Sequence, residues 1–487
     1  MKKCLLLMDT VVKRKSLWVL TFLLVVAFQT AAVAAITDTS VVMSINDYYR
    51  IILSRHPVVL QTATFSQDAK AQIRMAKGML DPGLSVDYQG KTLSGTEYYQ
   101  LWDNTLKIPV WFGTDFKVGY ERNTGQSVNG ESSTPSNGLW YAGVSVPLGQ
   151  GLFIDERRNA ILQAKTLPAL AEADRIAVVN AVLLKATNDY WDWHLAWKRY
   201  QLWDSAYVLA ETRFQAVKAR ASLGELPWID TVEARVAVLD REILRAQAFT
   251  DYKNAMLNAS VHLWAENEIP LELTTAVVPQ PGLRQETPLT AEAVDSLVAQ
   301  AKVNHPDIVK LGVQQQQLAI EERYQRDRLK PKFNLNYNIL AKEPGTFVSP
   351  SGTDYYRNNY KLGFQFSYPL LLRKERGKLQ RVEIKQMQVS ADRQQKEREL
   401  SNSIRINQNN WLMLESQVQI QTVQVGYSRA LRDAEQTRFF TGESSFFLVN
   451  TRELALVNSE IRLYELQIRL AKTQALLYWS AGSLIAQ

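Results

Sequence analysis

The sequence states one order of features twice, and that duplication limits the chain more than any other feature. "SRHPVVLQ" contains His56-Pro57, and "VNHPDIVK" contains His305-Pro306. "RMAKGMLDPGLSVDY" (Arg74 to Tyr88) matches "RYQRDRLKPKFNLNY" (Arg323 to Tyr337) without a gap, at the same spacing as the His-Pro pairs. Each copy continues to a strand that ends in proline, "YAGVSVPL" and "LGFQFSYPL", and then to a charged start, "DERRNAIL" and "KERGKLQR". Further on, "GELPWIDTVEARVAVLDREI" (Gly224 to Ile243) parallels "GESSFFLVNTRELALVNSEI" (Gly442 to Ile461). A repeat of this kind marks two copies of one supersecondary plan.

Each half reads as helix, strand region, very long helix, Gly-Glu break and second long helix. From about Asp155 to Leu223 and from Arg373 to Thr441, Pro168 is the only interior proline. At 1.5 Å per residue an unbroken run of that size is on the order of 100 Å, whereas mean helices have about 11–12 residues. Between Ser390 and Ser403 only Ala391 and Leu400 are apolar, a stripe thin enough for a coiled coil with its other faces in water. "EIPLELTTAVVPQPGLRQETPLT", with Pro270, Pro279, Pro281 and Pro288, reads as a crossing segment between interlocked repeats.

The strands have a period of two. Phe333, Leu335, Tyr337 and Ile339 alternate with Asn334, Asn336 and Asn338, while Leu362, Phe364, Phe366 and Tyr368 alternate with Lys361, Gly363, Gln365 and Ser367. Each strand therefore has one apolar, largely aromatic face and one polar face. For isolated strands a soluble sandwich is the plainer reading, because the barrel signal is weak per segment. The N-terminus favours the other reading. Lys13, Arg14 and Lys15 precede an apolar run from Leu17 to Phe28 and small residues at Ala32–Ala34, the pattern of a secretory signal peptide over 1–34 rather than a retained anchor.

Cys4, the only cysteine, precedes that apolar run, so it is not a lipobox cysteine, and the mature chain has neither disulfide nor thiolate metal site. Much of the net charge of +7 also lies in the leader, and the remainder is too mild to argue for nucleic acid. No later stretch of about 18 apolar residues exists. An exported chain without a spanning helix can still enter a membrane as a closed barrel, since hydrocarbon excludes an open sheet edge. One chain offers four clear strands, or six if Pro82 to Pro147 holds an extra hairpin. Both counts fall below the minimum of about eight for a single-chain barrel, so several chains must pool their strands. Phe333, Leu335, Tyr337, Leu362, Phe364 and Phe366 then face lipid.

With these features the sequence resembles the TolC-type outer-membrane efflux proteins over about Ser44 to Gly482. The resemblance rests on the doubled His-Pro entry, the proline-flanked strands and the Gly-Glu break between long helices. It implies an α+β membrane protein with two structural repeats per chain, 35–283 and 284–487. A homotrimer would pool its strands (about 83–148 and 332–369 of each chain) into one outer-membrane barrel. That barrel would continue into a periplasmic coiled-coil barrel built from helices at about 155–266 and 373–480. It further implies passive conduction, with a periplasmic adaptor protein for docking and an inner-membrane transporter for energy. Two features depart from the family pattern. Pro82 to Pro147 is longer than a two-strand half requires, and Leu448 and Thr451 stand where acidic constriction residues are expected in the second half.

Under this resemblance, Leu223, Gly224, Glu225, Thr441, Gly442, Glu443 and Ser444 form adaptor-docking tips. Asp230 and Glu233, three apart on one helix face, are the acidic candidates for a constriction, with pairing to Arg235 as the competing reading. "NDYWDWHLAWKRYQLW" holds Asp189, Asp192 and His194, but no histidine pairs at metal-ligand spacing, and Trp191, Trp193 and Trp197 read as helix packing. His56 and His305 read as helix-end residues. No catalytic constellation or cofactor motif stands out, so the reading is of a non-enzyme without a cofactor. The rival is a periplasmic coiled-coil adaptor or scaffold without a pore.

Overall fold

The structure, a computed structural model, describes residues 41–282, 288–343 and 355–483. The stretch 1–34 expected to be a signal peptide, with Cys4, lies outside the described residues, as do 283–287 of the crossing segment and most of the loop between the second-half strands. The first half runs β1 (Val41–Met43), α1 (Ile45–Arg55), α2 (Pro57–Gln61), α3 (Ala63–Lys77), β2 (Gly83–Leu93), β3 (Thr96–Pro109), β4 (Asp115–Thr124) and β5 (Leu139–Pro147). It continues through α4 (Glu156–Ala164), α5 (Leu167–Ser222), α6 (Trp228–Ser260) and β6 (Val277–Pro279). The second half runs α7 (Ala291–Asn304), α8 (Pro306–Asp327), β7 (Lys332–Ala341), α9 (Tyr355–Asn358), β8 (Tyr360–Ser367), α10 (Arg373–Phe440) and α11 (Phe446–Ser480).

Local chemistry explains the breaks. The run expected to begin at about Asp155 is two helices, because Pro168 has no N–H to offer the Ala164 carbonyl. The chain turns through Lys165 and Thr166, with Thr166 N donating to Gln163 O at 3.0 Å. His56 and His305 are N-caps: their Nδ1 atoms accept from Val58 N and Asp307 N, each at 3.2 Å, with Pro57 and Pro306 in the first turn. Proline suits that position because it gives up an N–H that no helix carbonyl would accept. Capping needs an unprotonated Nδ1, and burial lowers the His305 pKa, against the pull of Asp307.

The chain divides into two compact units. One comprises 52–188, 286–424 and 466–487 and contains a six-stranded sheet in the order β2-β3-β4-β5-β7-β8, antiparallel at every step. Among the described residues this sheet therefore has six strands, and Pro82 to Pro147 contains a full extra hairpin, β3–β4. Register sorts the faces. Phe333 lies opposite Phe366, Leu335 opposite Phe364, and Tyr337 opposite Leu362. The same face carries Val146 beside Leu335, Val144 beside Tyr337, Val118 beside Ala142, and Tyr88 beside Trp102. On the other face Asn334 meets Gln365, Asn336 meets Gly363, Ser145 meets Asn336, and Asp103 meets Glu121. Lys361 of β8 reaches Glu121 of β4 at 3.8 Å across two intervening strands, so the polar face is the inside of the curve.

The sheet joins its helices through a charged base. Arg157 binds Asp115 at 2.7 Å and Asp155 at 3.1 Å, and Gly151 N donates to Asp327 Oδ2 at 2.6 Å. Asp155, the N-cap of α4, accepts from Arg158 N at 2.9 Å. In the same unit α3 packs on α4 and α4 on α8, while Gln386 and Arg393 of α10 bond Glu322 and Gln315 of α8.

The other unit comprises the stretch ending at Ile51 with 189–285 and 425–465. β1 and β6 pair in parallel there. Tyr48 donates to Ala259 O at 2.7 Å and Tyr190 to Met43 O at 3.0 Å, fixing α1 and β1 onto the buried aromatic patch around Trp193. Among the described residues, no helix is long and apolar enough to cross a membrane.

Candidate functional site

The hairpin tips are built alike in the two halves. Gly224 and Gly442 adopt φ of +78° and +82°, a left-handed conformation that glycine reaches without penalty from a Cβ. Gly224 N donates to Ala221 O at 3.0 Å and Glu225 N to Arg220 O at 3.0 Å, while Gly442 N donates to Phe439 O at 3.2 Å and Glu443 N to Arg438 O at 2.8 Å. Both are complete Schellman closures. A Cβ on either glycine would meet open space, so backbone conformation, not packing, selects the residue. Beneath the turns Val217, Ala234, Ala237, Phe439, Phe446 and Val449 form one core shared by α5, α6, α10 and α11. Leu223 remains 75% exposed, and Glu225, Thr441 and Glu443 are also exposed. Ser444 donates to Glu435.

Asp230 and Glu233 lie at the start of α6, half-buried, flanking the core residues Thr231 and Ala234. Leu448 and Thr451 take the equivalent places on α11 and are exposed. Arg235 pairs with Glu211 at 3.7 Å rather than with either acid. The first hairpin therefore carries both carboxylates and the second carries none at the matching positions.

Sequence reasoning missed a buried polar cluster nearby, drawn from α5, α6 and α11. Arg213 of α5 pairs with Glu453 of α11, with side chains 11% and 3% exposed. Arg241 of α6 donates to Asn450 Oδ1 at 2.7 Å and to Ala237 O at 3.1 Å. Its guanidinium pKa is pushed down by burial, opposed by Glu453 and reinforced by Arg213. The signal was present in spacing: Ala234, Ala237 and Arg241 fall on one core stripe, as do Val449, Glu453 and Leu456.

The aromatic stretch on α5 is interior. Trp193 and Trp197 are buried, Asp189 accepts from His262 Nε2 at 2.7 Å, and Asp192 is exposed. Among the described residues no cluster of His, Cys, Asp and Glu could hold a metal ion. His194 Nε2 donates to Gln280 O at 3.0 Å, and burial lowers its pKa from 6.5 to about 4. Protonation would place a second N–H at Nδ1, which has no partner. Stability is complete above pH 6.5, where both folded and unfolded imidazoles are neutral. It falls as pH drops from 6.5 toward 4, because only the unfolded chain takes up the proton. The loss is expected to be of order 3 kcal/mol. His194→Gln should remove that part of the acid sensitivity, read as the difference between the two proteins' melting midpoints across the range. Parallel curves would show that His194 does not titrate on unfolding.

The sheet's convex face is the other candidate surface: Leu362, Phe364 and Phe366 are 58%, 64% and 55% exposed, while Phe333, Leu335 and Tyr337 are half-covered by strand neighbours. So large an aromatic surface calls for a partner phase.

Residues 297–483 match the family described as outer membrane efflux protein. No curated protein matches the chain by sequence. In fold, the chain is similar to the MtrE outer membrane channel of Neisseria gonorrhoeae in its open state, at 14% identity and a TM-score of 0.65, covering 91% of this chain and 89% of that one. The CmeC outer membrane channel of Campylobacter jejuni gives 12% and 0.60, with 90% and 86% covered. The outer membrane protein VceC of Vibrio cholerae gives 14% and 0.61, with 90% and 96% covered. The shared fold thus extends through the first half as well.

Proposed function

Starting from the TolC-type resemblance, which the family match in the second half and the fold along nine-tenths of the chain bear out, we propose that the protein is the passive exit duct of an outer-membrane efflux or type I secretion system. Three copies pool their sheets into one barrel. The repeats 35–283 and 284–487 contribute strands to it and long helices to a periplasmic tunnel. The chain reaches the outer membrane by its signal peptide and is not a lipoprotein. A periplasmic adaptor binds the tips, and an inner-membrane transporter supplies the energy. The observation that carries this reading is the two-faced sheet: strand register gathers exposed aromatic and aliphatic side chains on the convex side and amides, hydroxyls and charges on the concave side. Lipid suits the first face and water the second.

Electron microscopy of the detergent-extracted protein tests it. A three-fold hollow cylinder in end-on views is expected. A water-soluble thin rod would overturn the duct and leave a periplasmic scaffold.

Within this reading Leu223, Gly224, Glu225, Thr441, Gly442, Glu443 and Ser444 contact the adaptor, and Asp230 and Glu233 line the periplasmic mouth with Leu448 and Thr451 between them. Gly224→Val with Gly442→Val forces a β-branched residue into the left-handed region, at about 1–2 kcal/mol each, and deforms both tips. The variant should assemble trimers yet lose efflux in a drug- or dye-accumulation assay. Trimers with unchanged efflux would remove the tips from docking.

A further inference from the structure

Among the described residues β2 pairs only with β3, and β8 only with β7. The sheet therefore ends in two open edges, one of 11 residues and one of 8, and both carry apolar side chains on the convex face. Long apolar edges of this kind template further pairing, and in hydrocarbon they must be closed. The six strands alternate in direction, so β2 and β8 run oppositely. An antiparallel ladder then continues without a break if β8 of one copy meets β2 of the next.

The helices that enter and leave the sheet set its width. The chain passes from α3 into β2, from β5 into α4, from α8 into β7 and from β8 into α10. Those four helices lie in the same order as their strands: α3 on α4, α4 on α8, and α8 bonded to α10. Four helices at about 8–10 Å occupy roughly 36 Å. Six strands at about 4.8 Å, tilted about 40°, occupy about 38 Å of circumference. Four strands would occupy only about 25 Å by the same geometry. The extra hairpin β3–β4 thus brings the sheet to the width of the helical layer it grows from.

On the pooled-trimer reading proposed above, we infer that the barrel has eighteen strands, three copies of the six, and that β3–β4 is a wall element rather than an extracellular loop. Barrel diameter grows roughly in proportion to strand number, and barrels of about 16–18 strands leave an aqueous channel. The exit is then about half as wide again as twelve strands would make it. Cargo of large cross-section passes the outer membrane freely, and any size limit arises in the helical part.

Disulfide mapping of the full-length protein in cells tests the inference, since the only native cysteine, Cys4, lies in the leader stretch. Ser85→Cys or Asp87→Cys in β2, combined with Lys361→Cys, Gln365→Cys or Ser367→Cys in β8, samples the cross-copy edge on the polar face. At least one pair should give a covalent ladder ending at three. Within one chain, Ser85→Cys should link to Thr105→Cys, its register partner on β3, and not to Ser145→Cys on β5. A ladder of three in which Ser85 links to β5 instead, or fails to link to β3, keeps the pooled trimer but expels the hairpin, which overturns eighteen strands. A ladder ending at another number, or no cross-copy link at all, overturns the pooled trimer itself and the inference with it.

Discussion

Glu453→Ala is expected to lower stability by about 3–5 kcal/mol, the range for breaking one side of a buried ion pair. Glu453 is almost fully enclosed and faces Arg213, with Arg241 on the neighbouring helix. Glu453 is the ion-pair partner of Arg213 and also acts on Arg241, which Asp240 influences as well, so its removal leaves Arg213 without its counter-charge. Arg241 keeps Asn450 and the Ala237 carbonyl, so the greater loss falls on Arg213. Denaturation of the purified protein, followed by circular dichroism in detergent, measures the effect. The double variant Arg213→Met, Glu453→Leu should recover much of the loss, because an apolar pair of similar volume avoids the desolvation of both charges. A loss under about 1 kcal/mol in Glu453→Ala would place the pair in the range of solvated surface bridges and exclude it as a tie between the two hairpins.

That cluster also shows where sequence reading stops. A charged residue in a long amphipathic helix defaults to a solvated face, and Arg213, Arg241 and Glu453 come from three helices whose association no local pattern reveals. The features that were legible repeat within a short window. A His-Pro pair needs only its own turn to become an N-cap, and the alternation from Phe333 to Ile339 needs only a strand's pleat to sort its faces. The glycine breaks likewise depend on the φ of one residue. The β3–β4 hairpin fell between these cases. Asn104 and Arg122 interrupt its apolar row, and Asp103, Lys107 and Lys117 load its polar one. Its alternation becomes clear only once Leu106 is seen beside Leu84 and Val118, a relation set by the neighbouring strands. The break before Leu167 was available in Pro168, but its position depended on which carbonyl the proline deprived of a donor.

Phe364→Arg should cost the barrel roughly 2–4 kcal/mol if its position lies near the bilayer midplane. Phe364 stands opposite Leu335 and in ring contact with Phe333 at 5.9 Å between centroids, on the convex face and mostly exposed. Exposure gives the test its power. In water, an arginine at so open a site changes stability by no more than about 0.5 kcal/mol, and the loss of an exposed ring is close to neutral. In lipid the same guanidinium must leave water or drag water and headgroups inward, a penalty that no strand neighbour offsets because Leu335, Phe333 and Phe366 carry no polar group. Gln365→Arg, one residue along on the concave face beside Asn334, is the matched control: it should leave stability nearly unchanged and shift single-channel ion selectivity toward anions. Urea unfolding of the protein in lipid vesicles gives the first quantity, and planar-bilayer recording gives the second. Small and equal stability effects at the two positions would mean that both faces meet water, and the sheet would then be no part of a membrane barrel.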